Sequence, residues 1–190
     1  MNLPTRLTLA RILLTFAVMA LSFMPGWMAK AAALLLFVLA SLTDWLDGYL
    51  ARRWNQCSPL GALLDPIADK VLILGTLLAF VQLRLVPAWM VLIVVLREFL
   101  ITGVRLFAAS RHVILAAAAE GKHKTVSQVV AVVAVLVLML VRELGASGGI
   151  EAALEWIVAG CLWVAVLFTV ISGSVFFWRH RAVLLDAVHR

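Results

Sequence analysis

Six long apolar stretches, separated by short polar breaks, account for nearly the whole chain. They run at about Leu7 to Met24, Ala31 to Trp54, Gly61 to Leu83, Pro87 to Ala109, Thr125 to Val141 and Ala152 to Trp178. Each approaches or exceeds the roughly 20 mostly apolar residues that a helix needs to cross a bilayer, which predicts six transmembrane helices. Pro25 and Gly26 break the first from the second, with Trp27 and Met28 suited to an interfacial turn. Asn55, Gln56, Ser58 and Pro59 separate the second from the third, and Gly145 to Gly149 reads as an external loop before the sixth. The sequence shows no convincing internal repeat.

The second stretch departs from the others. Its apolar part, Ala31 to Thr43, is too short to span alone, so the helix must continue through Asp44, Asp47 and Arg52 to reach Trp54. Those carboxylates then lie near one membrane boundary, in a wet cavity and not at the midplane. The third helix opens at Gly61 and carries Asp65, Asp69 and Lys70 in its first turns, with Pro66 placed early, where a missing amide proton costs least. Antiparallel helices joined by so short a connection pack side by side. The spacing of Asp44, Asp47, Gly48, Ala51 and Arg52 puts them on one helix face, and that of Gly61, Asp65 and Asp69 does the same on the next. Two acidic faces converge, and Gly48, Ala51 and Gly61 leave room for close helix approach or for a ligand.

Composition agrees with this picture: 65% of the residues are hydrophobic and the mean hydropathy is +1.09, well above the apolar share of a soluble domain. The chain reads as a single polytopic membrane domain, residues 1–190, with no separate soluble catalytic unit. A net charge of +6 in a soluble protein would point to nucleic acid; here it reports topology, and no nucleic-acid partner is expected. Arg6, Arg11, Arg52, Arg53, Arg111, Lys122, Lys124, Arg179, Arg181 and Arg190 fall at alternate connections and at the termini, whereas Lys30, Arg84 and Arg142 mark the other side. This asymmetry places both termini and the Asp44 to Asp69 hairpin in the cytoplasm, where anionic lipid headgroups attract basic edges. The first span is expected to be retained and not cleaved as a secretory signal, because its loss would leave an odd number of spans. Cys57 and Cys161 stand too far apart in context to suggest a disulfide or a zinc site.

Four crowded carboxylates repel one another unless cations are supplied. Hard divalent ions such as magnesium take oxygen ligands and work with phosphates, and paired metals suit displacement at phosphorus. Arg52 and Ser58 add donors beside the carboxylates. Farther along, Arg97 and Arg105 share a face of the fourth helix, and Gly121, Lys122, His123, Lys124 and Thr125 open the fifth. Arg97, Arg105, Lys122 and Lys124 would form a second anion pocket, since guanidinium and ammonium groups favour phosphate oxygens. Glu98 is expected to pair only loosely with Arg97, because adjacent helical residues point apart. Plainer readings compete: carboxylates as solvated helix ends, Arg97 and Arg105 as snorkelling side chains, Lys122 and Lys124 as a topology signal, and His123 as a solvated loop residue. The joint register of the four aspartates disfavours the first of these. Trp27, Trp54 and Trp178 read as interfacial anchors.

The run Asp44, Asp47, Gly48, Ala51, Arg52, Gly61, Asp65, Asp69 resembles, without departure, the D-x-x-D-G-x-x-A-R-x8-G-x-x-x-D-x-x-x-D signature of the CDP-alcohol phosphotransferases. Asn2-Leu3-Pro4 with Thr8 and Arg11, SLTDWLDGYLARRWN from Ser41 to Asn55, Arg97-Glu98-Phe99 with Arg105, and Gly121 to Thr125 are similar to the branch of that family that makes phosphatidylglycerophosphate in bacteria. The resemblance implies an all-α integral membrane fold of six spans around a polar, metal-containing cavity at the cytoplasmic face of the bacterial inner membrane, in a homodimer. It implies two Mg2+ or Mn2+ ions on Asp44, Asp47, Asp65 and Asp69, with Asp69 also the general base. Gly48, Arg52 and Ser58 would contact CDP-diacylglycerol, and Arg97, Arg105, Lys122 and Lys124 would hold the phosphate of glycerol 3-phosphate. Thr8, Arg11 and Gly61 are candidate cavity residues. An inositol phosphate acceptor is the nearest rival within the family; an ion-coupled transporter is the rival outside it, and would call for inverted repeats and interrupted helices.

Overall fold

The computed structural model describes residues 3–54, 59–110 and 121–181, with side chains described for 9–43, 70–109 and 123–181. Six helices make up the described residues: α1 (Leu3–Phe23), α2 (Trp27–Trp54), α3 (Pro59–Gln82), α4 (Ala88–Ser110), α5 (Gly121–Glu143) and α6 (Gly148–Arg179). They follow the six apolar stretches and overrun most of them by a few residues, since the 3.6-residue repeat continues into polar ends wherever no breaker stops it. α5 starts at Gly121, so His123 and Lys124 stand on a helix and not in a loop.

The breakers behave as their chemistry requires. Gly26 has φ +95°, Gly145 φ +67° and Arg84 φ 58°, each where one helix ends and the chain reverses. Only glycine adopts that region without steric cost, and Arg84 is held there by backbone bonds across the α3–α4 turn, Arg84 N donating to Val81 O at 3.0 Å and Leu85 N to Phe80 O at 2.9 Å. At the end of α1, Lys30 of α2 reaches back, its buried Nζ donating to Ser22 O and Met24 O, both at 2.7 Å. Those carbonyls have no intrahelical partner, so the ammonium closes the helix end.

α1 packs on α2 and α3, α2 and α3 also meet α5, α4 meets α3 and α6, and α5 packs on α6. Phe37, Phe80, Leu136, Val18, Val132 and Val135 are completely buried where these helices cross. α1 and α3 approach closely at Gly75, where an added Cβ would lie 2.8 Å from Thr15 Cγ2. The hydroxyl of Thr15 is occupied by Arg11 O at 2.9 Å, which leaves its methyl facing α3. Small residues at such contacts let two backbones come together in a setting without a hydrophobic driving force.

The exterior is as apolar as the interior. Phe16 is 62% exposed and Trp156 80% exposed, with Leu13, Phe99, Leu106 and Leu167 also on the outside. A continuous apolar surface of this extent suits lipid as the solvent. Among the described residues, His123–Glu143 and Gly148–Arg179 are long and apolar enough to cross a membrane, and Leu9–Phe23, Trp27–Thr43 and Lys70–Gln82 are shorter apolar segments. Trp27 and Trp178 lie exposed at helix ends, and the Arg181 guanidinium stands 4.7 Å from the centre of the Trp178 ring.

Candidate functional site

A cavity of about 620 Å3 opens between α1, α2, α3, α4 and α5. Its polar lining consists of Arg11 from α1, Ser41 from α2, Lys70 from α3, Glu98 and Arg105 from α4, and Lys124, Thr125 and Gln128 from α5. Ser41, Lys70 and Glu98 lie near the middle of α2, α3 and α4, and Arg11, Arg105, Lys124, Thr125 and Gln128 lie toward the end of the bundle at which α1, α3 and α5 begin.

Four of these residues are cations and one is an anion, so the described side chains leave the cavity wall positive by three charges (4 − 1). Lys70 Nζ donates to the hydroxyl of Thr102 on α4, and that hydroxyl donates to Glu98 O at 2.7 Å. Lys124 Nζ is bonded to Glu98 Oε1. Arg105 lies with its guanidinium carbon 5.7 Å from the centre of the Phe176 ring on α6. Ser41 Oγ is buried without a hydrogen-bond partner. A positive hollow of this size has the chemistry of an anion site.

The acidic motif abuts this hollow in sequence. Ser41 stands three residues before Asp44, and Lys70 directly follows Asp69. Asp44, Asp47, Gly48 and Arg52 lie on the last turns of α2, and Gly61, Asp65 and Asp69 on the first turns of α3. Their side chains, like those of Thr8 and Lys122, and the whole of Ser58, fall outside the described residues. The donor set itself fits hard divalent ions: four carboxylates on two consecutive helices offer oxygen ligands only.

The basic group predicted from sequence divides in two. Arg105 and Lys124 line the cavity, as does the candidate residue Arg11. Arg97 does not share that wall. Its NH1 donates to Glu98 Oε1 at 3.0 Å and its NH2 to Ser172 Oγ on α6 at 3.2 Å. The expectation of a loose Arg97–Glu98 contact is therefore corrected: both side chains are mostly buried and joined in an ion pair. The backbone directions of adjacent residues do diverge, but an arginine arm is long enough to curl back over one position. Sequence reasoning also gave no role to Glu98, Lys70 or Ser41. A lone carboxylate inside the apolar run of α4 was the available signal, since such a charge is kept only with a partner.

The described residues thus combine an all-helical fold, an apolar exterior and a cationic hollow next in sequence to four aspartates. The sequence model of the CDP-alcohol phosphatidyltransferase family matches residues 1–173, and the chain belongs to that family. Similar proteins include the CDP-diacylglycerol--glycerol-3-phosphate 3-phosphatidyltransferase of Bacillus subtilis (strain 168), 42% identical with 96% of this chain and 97% of the relative covered. Proteins of the same name from Rickettsia bellii (strain RML369-C), 35% identical over 93% of both chains, and Shigella flexneri serotype 5b, 34% identical over 97% of this chain and 98% of the relative, are also similar.

Proposed function

We propose that this protein, acting as one membrane domain over residues 1–190, transfers the phosphatidyl group of CDP-diacylglycerol to glycerol 3-phosphate and releases CMP. The observation that carries the reading is the cationic cavity beside the motif, together with full-length relatives named for this reaction. Arg105, Lys124 and Lys122 hold the acceptor phosphate at the cavity, with Arg11 and Thr8 on the facing helix; Arg97 supports this group from behind. Gly48, Arg52 and Ser58 receive the CDP part, and Gly61 leaves space for it.

Asp44, Asp47, Asp65 and Asp69 would hold two divalent ions, Mg2+ or Mn2+, which when bound offset negative charge on the phosphoryl oxygens and the leaving group. Asp69 accepts the proton of the primary hydroxyl of glycerol 3-phosphate. The freed oxygen forms a bond to the phosphorus that carries diacylglycerol, the bond from that phosphorus to the CMP oxygen breaks, and CMP leaves with the electron pair. The proton on Asp69 passes to water. Binding the two anions on separate groups, one on the aspartate hairpin and one on the basic wall, brings nucleophile and phosphorus together without forcing like charges into one subsite.

The six helices are read as six spans in the bacterial inner membrane, with both termini and the cavity toward the cytoplasm and a homodimer as the working assembly. Purified protein in detergent tests the reaction. CMP is expected from CDP-diacylglycerol only when glycerol 3-phosphate and a divalent ion are both present. Release with inositol phosphate and not glycerol 3-phosphate would reassign the acceptor, and ion flux without turnover would replace the enzyme by a transporter.

A further inference from the structure

Around the Lys124 ammonium on the cavity wall runs a series of polar contacts that ties it to α4 and α6, and the proposed chemistry gives no part to Glu98, Gln128, Thr169 or Ser172 within it. On α4, Glu98 Oε1 accepts from Arg97 NH1 at 3.0 Å and from Lys124 Nζ of α5. Arg97 continues to α6 through Ser172 Oγ at 3.2 Å, and Ser172 Oγ donates to Thr169 O at 3.2 Å. The Thr169 hydroxyl accepts from Gln128 Nε2 on α5 at 3.1 Å, and Gln128 is one helical turn from Lys124. These contacts join α4, α5 and α6. Glu98, Lys124, Gln128, Thr169 and Ser172 are all buried.

Gly173 is part of the same fit. A Cβ there would lie 3.3 Å from Arg97 Cγ, so the absent side chain lets α6 press against the arginine stem. Arg97 Nε has no hydrogen-bond partner, so its terminal nitrogens carry the polar contacts described for it. An arginine stem packed on one helix and a fork shared between a carboxylate and a hydroxyl has little freedom. Its carboxylate partner inherits that restriction.

We propose that Glu98 is the positioning residue of the acceptor pocket: it fixes the Lys124 ammonium on the cavity wall and is itself held from behind by Arg97 and Ser172. This rests on the assignment of the cavity to the acceptor phosphate. Two effects of the carboxylate oppose each other. Its negative charge weakens the field that attracts a phosphate dianion, whereas its hydrogen bond removes the rotamer freedom that a long lysine would otherwise lose on binding. In a well-formed buried network the second effect dominates, because the ordering has already occurred before the ligand arrives. The sign of the change in KM on removing the charge therefore reports which effect governs.

Initial rates of CMP release are to be measured on the full chain in detergent, with glycerol 3-phosphate varied at saturating CDP-diacylglycerol. Glu98→Gln is expected to raise KM for glycerol 3-phosphate about tenfold, with kcat changed by less than about threefold. Glu98→Asp should recover part of that loss. In a Lys124→Gln background the Glu98→Gln change should add less than about twofold, because the residue it positions is gone. A KM that falls or stays level in Glu98→Gln, or a full effect on top of Lys124→Gln, overturns the proposal. Should Glu98→Gln fail to accumulate, Ser172→Ala, two contacts back through Arg97, is expected to raise KM about threefold, and no change would be equally fatal. If Lys124→Gln itself leaves KM unaltered, the pocket assignment fails; if it raises KM while Glu98→Gln does not, only the positioning role fails.

Discussion

The two ends of the bundle use the same residue types for opposite purposes. At the end away from the motif, charge is matched locally: Lys30 caps the carbonyls of α1, Glu143 Oε2 accepts from Gly26 N at 2.9 Å, and Arg142 Nε donates to Glu151 at 2.7 Å. At the cavity end, four cations face one carboxylate among the described lining residues. Matched charges close turns and hold helices in register. An excess of one sign, enclosed by low-dielectric helices, creates a field that a substrate can complete.

Removing a residue at the cavity end should therefore cost activity, and at the other end stability. The largest expected effect is that of Asp69→Asn, which should lower CMP release by at least about a hundredfold, as loss of a general base does, while the thermal unfolding midpoint in detergent changes little. Substantial residual turnover would remove Asp69 from the role of base. Stripping divalent ions with a chelator should abolish turnover, and Mg2+ or Mn2+ should restore it; activity that survives chelation would break the metal assignment. Arg105→Ala should raise KM for glycerol 3-phosphate by about tenfold or more, the usual loss for a charged hydrogen bond. An unchanged value would move the acceptor phosphate elsewhere.

At the opposite end, Lys30→Met leaves the buried Ser22 carbonyl and the partly buried Met24 carbonyl without their donor and should destabilise the protein by about 2 kcal/mol, read as a lower unfolding midpoint with kcat per folded molecule preserved. A selective loss of turnover there would erase the distinction between the two ends. The smallest effect belongs to Arg142→Gln. Its partners are partly exposed, so a change of no more than about 1 kcal/mol is expected.

Much of this organisation could be read from the sequence, and the limits have physical causes. Helix positions were legible because apolar runs of near-bilayer length, cut by Pro25-Gly26 and Gly145 to Gly149, have one reasonable reading. The ends were less uniformly so: Gly121 was legible as the opening of α5, whereas α2 begins at Trp27, inside the segment read as an interfacial turn, because no breaker follows Gly26. Arg105 and Lys124 reach the predicted cavity because both lie at its end of the bundle. Arg97 shares a helical face with Arg105 and both reach α6, but Arg97 is tied there by Ser172 and packed at Gly173 instead of lining the cavity, since the direction of a long side chain depends on partners that only tertiary packing supplies. The convergence of α4, α5 and α6 on Glu98 spans residues 98 to 172 and has no local spacing to reveal it.

The contact at Gly75 has a mechanical side. Arg11 lies one turn before Thr15 on α1, and Lys70 lies five residues before Gly75 on α3, so the two cations project from a pair of helices pinned together just beneath them. A single methyl group at Gly75 would act as a wedge at that contact. It would push α1 and α3 apart about one turn from Arg11 and Lys70, and so change the distance between two cations of the cavity lining without touching either.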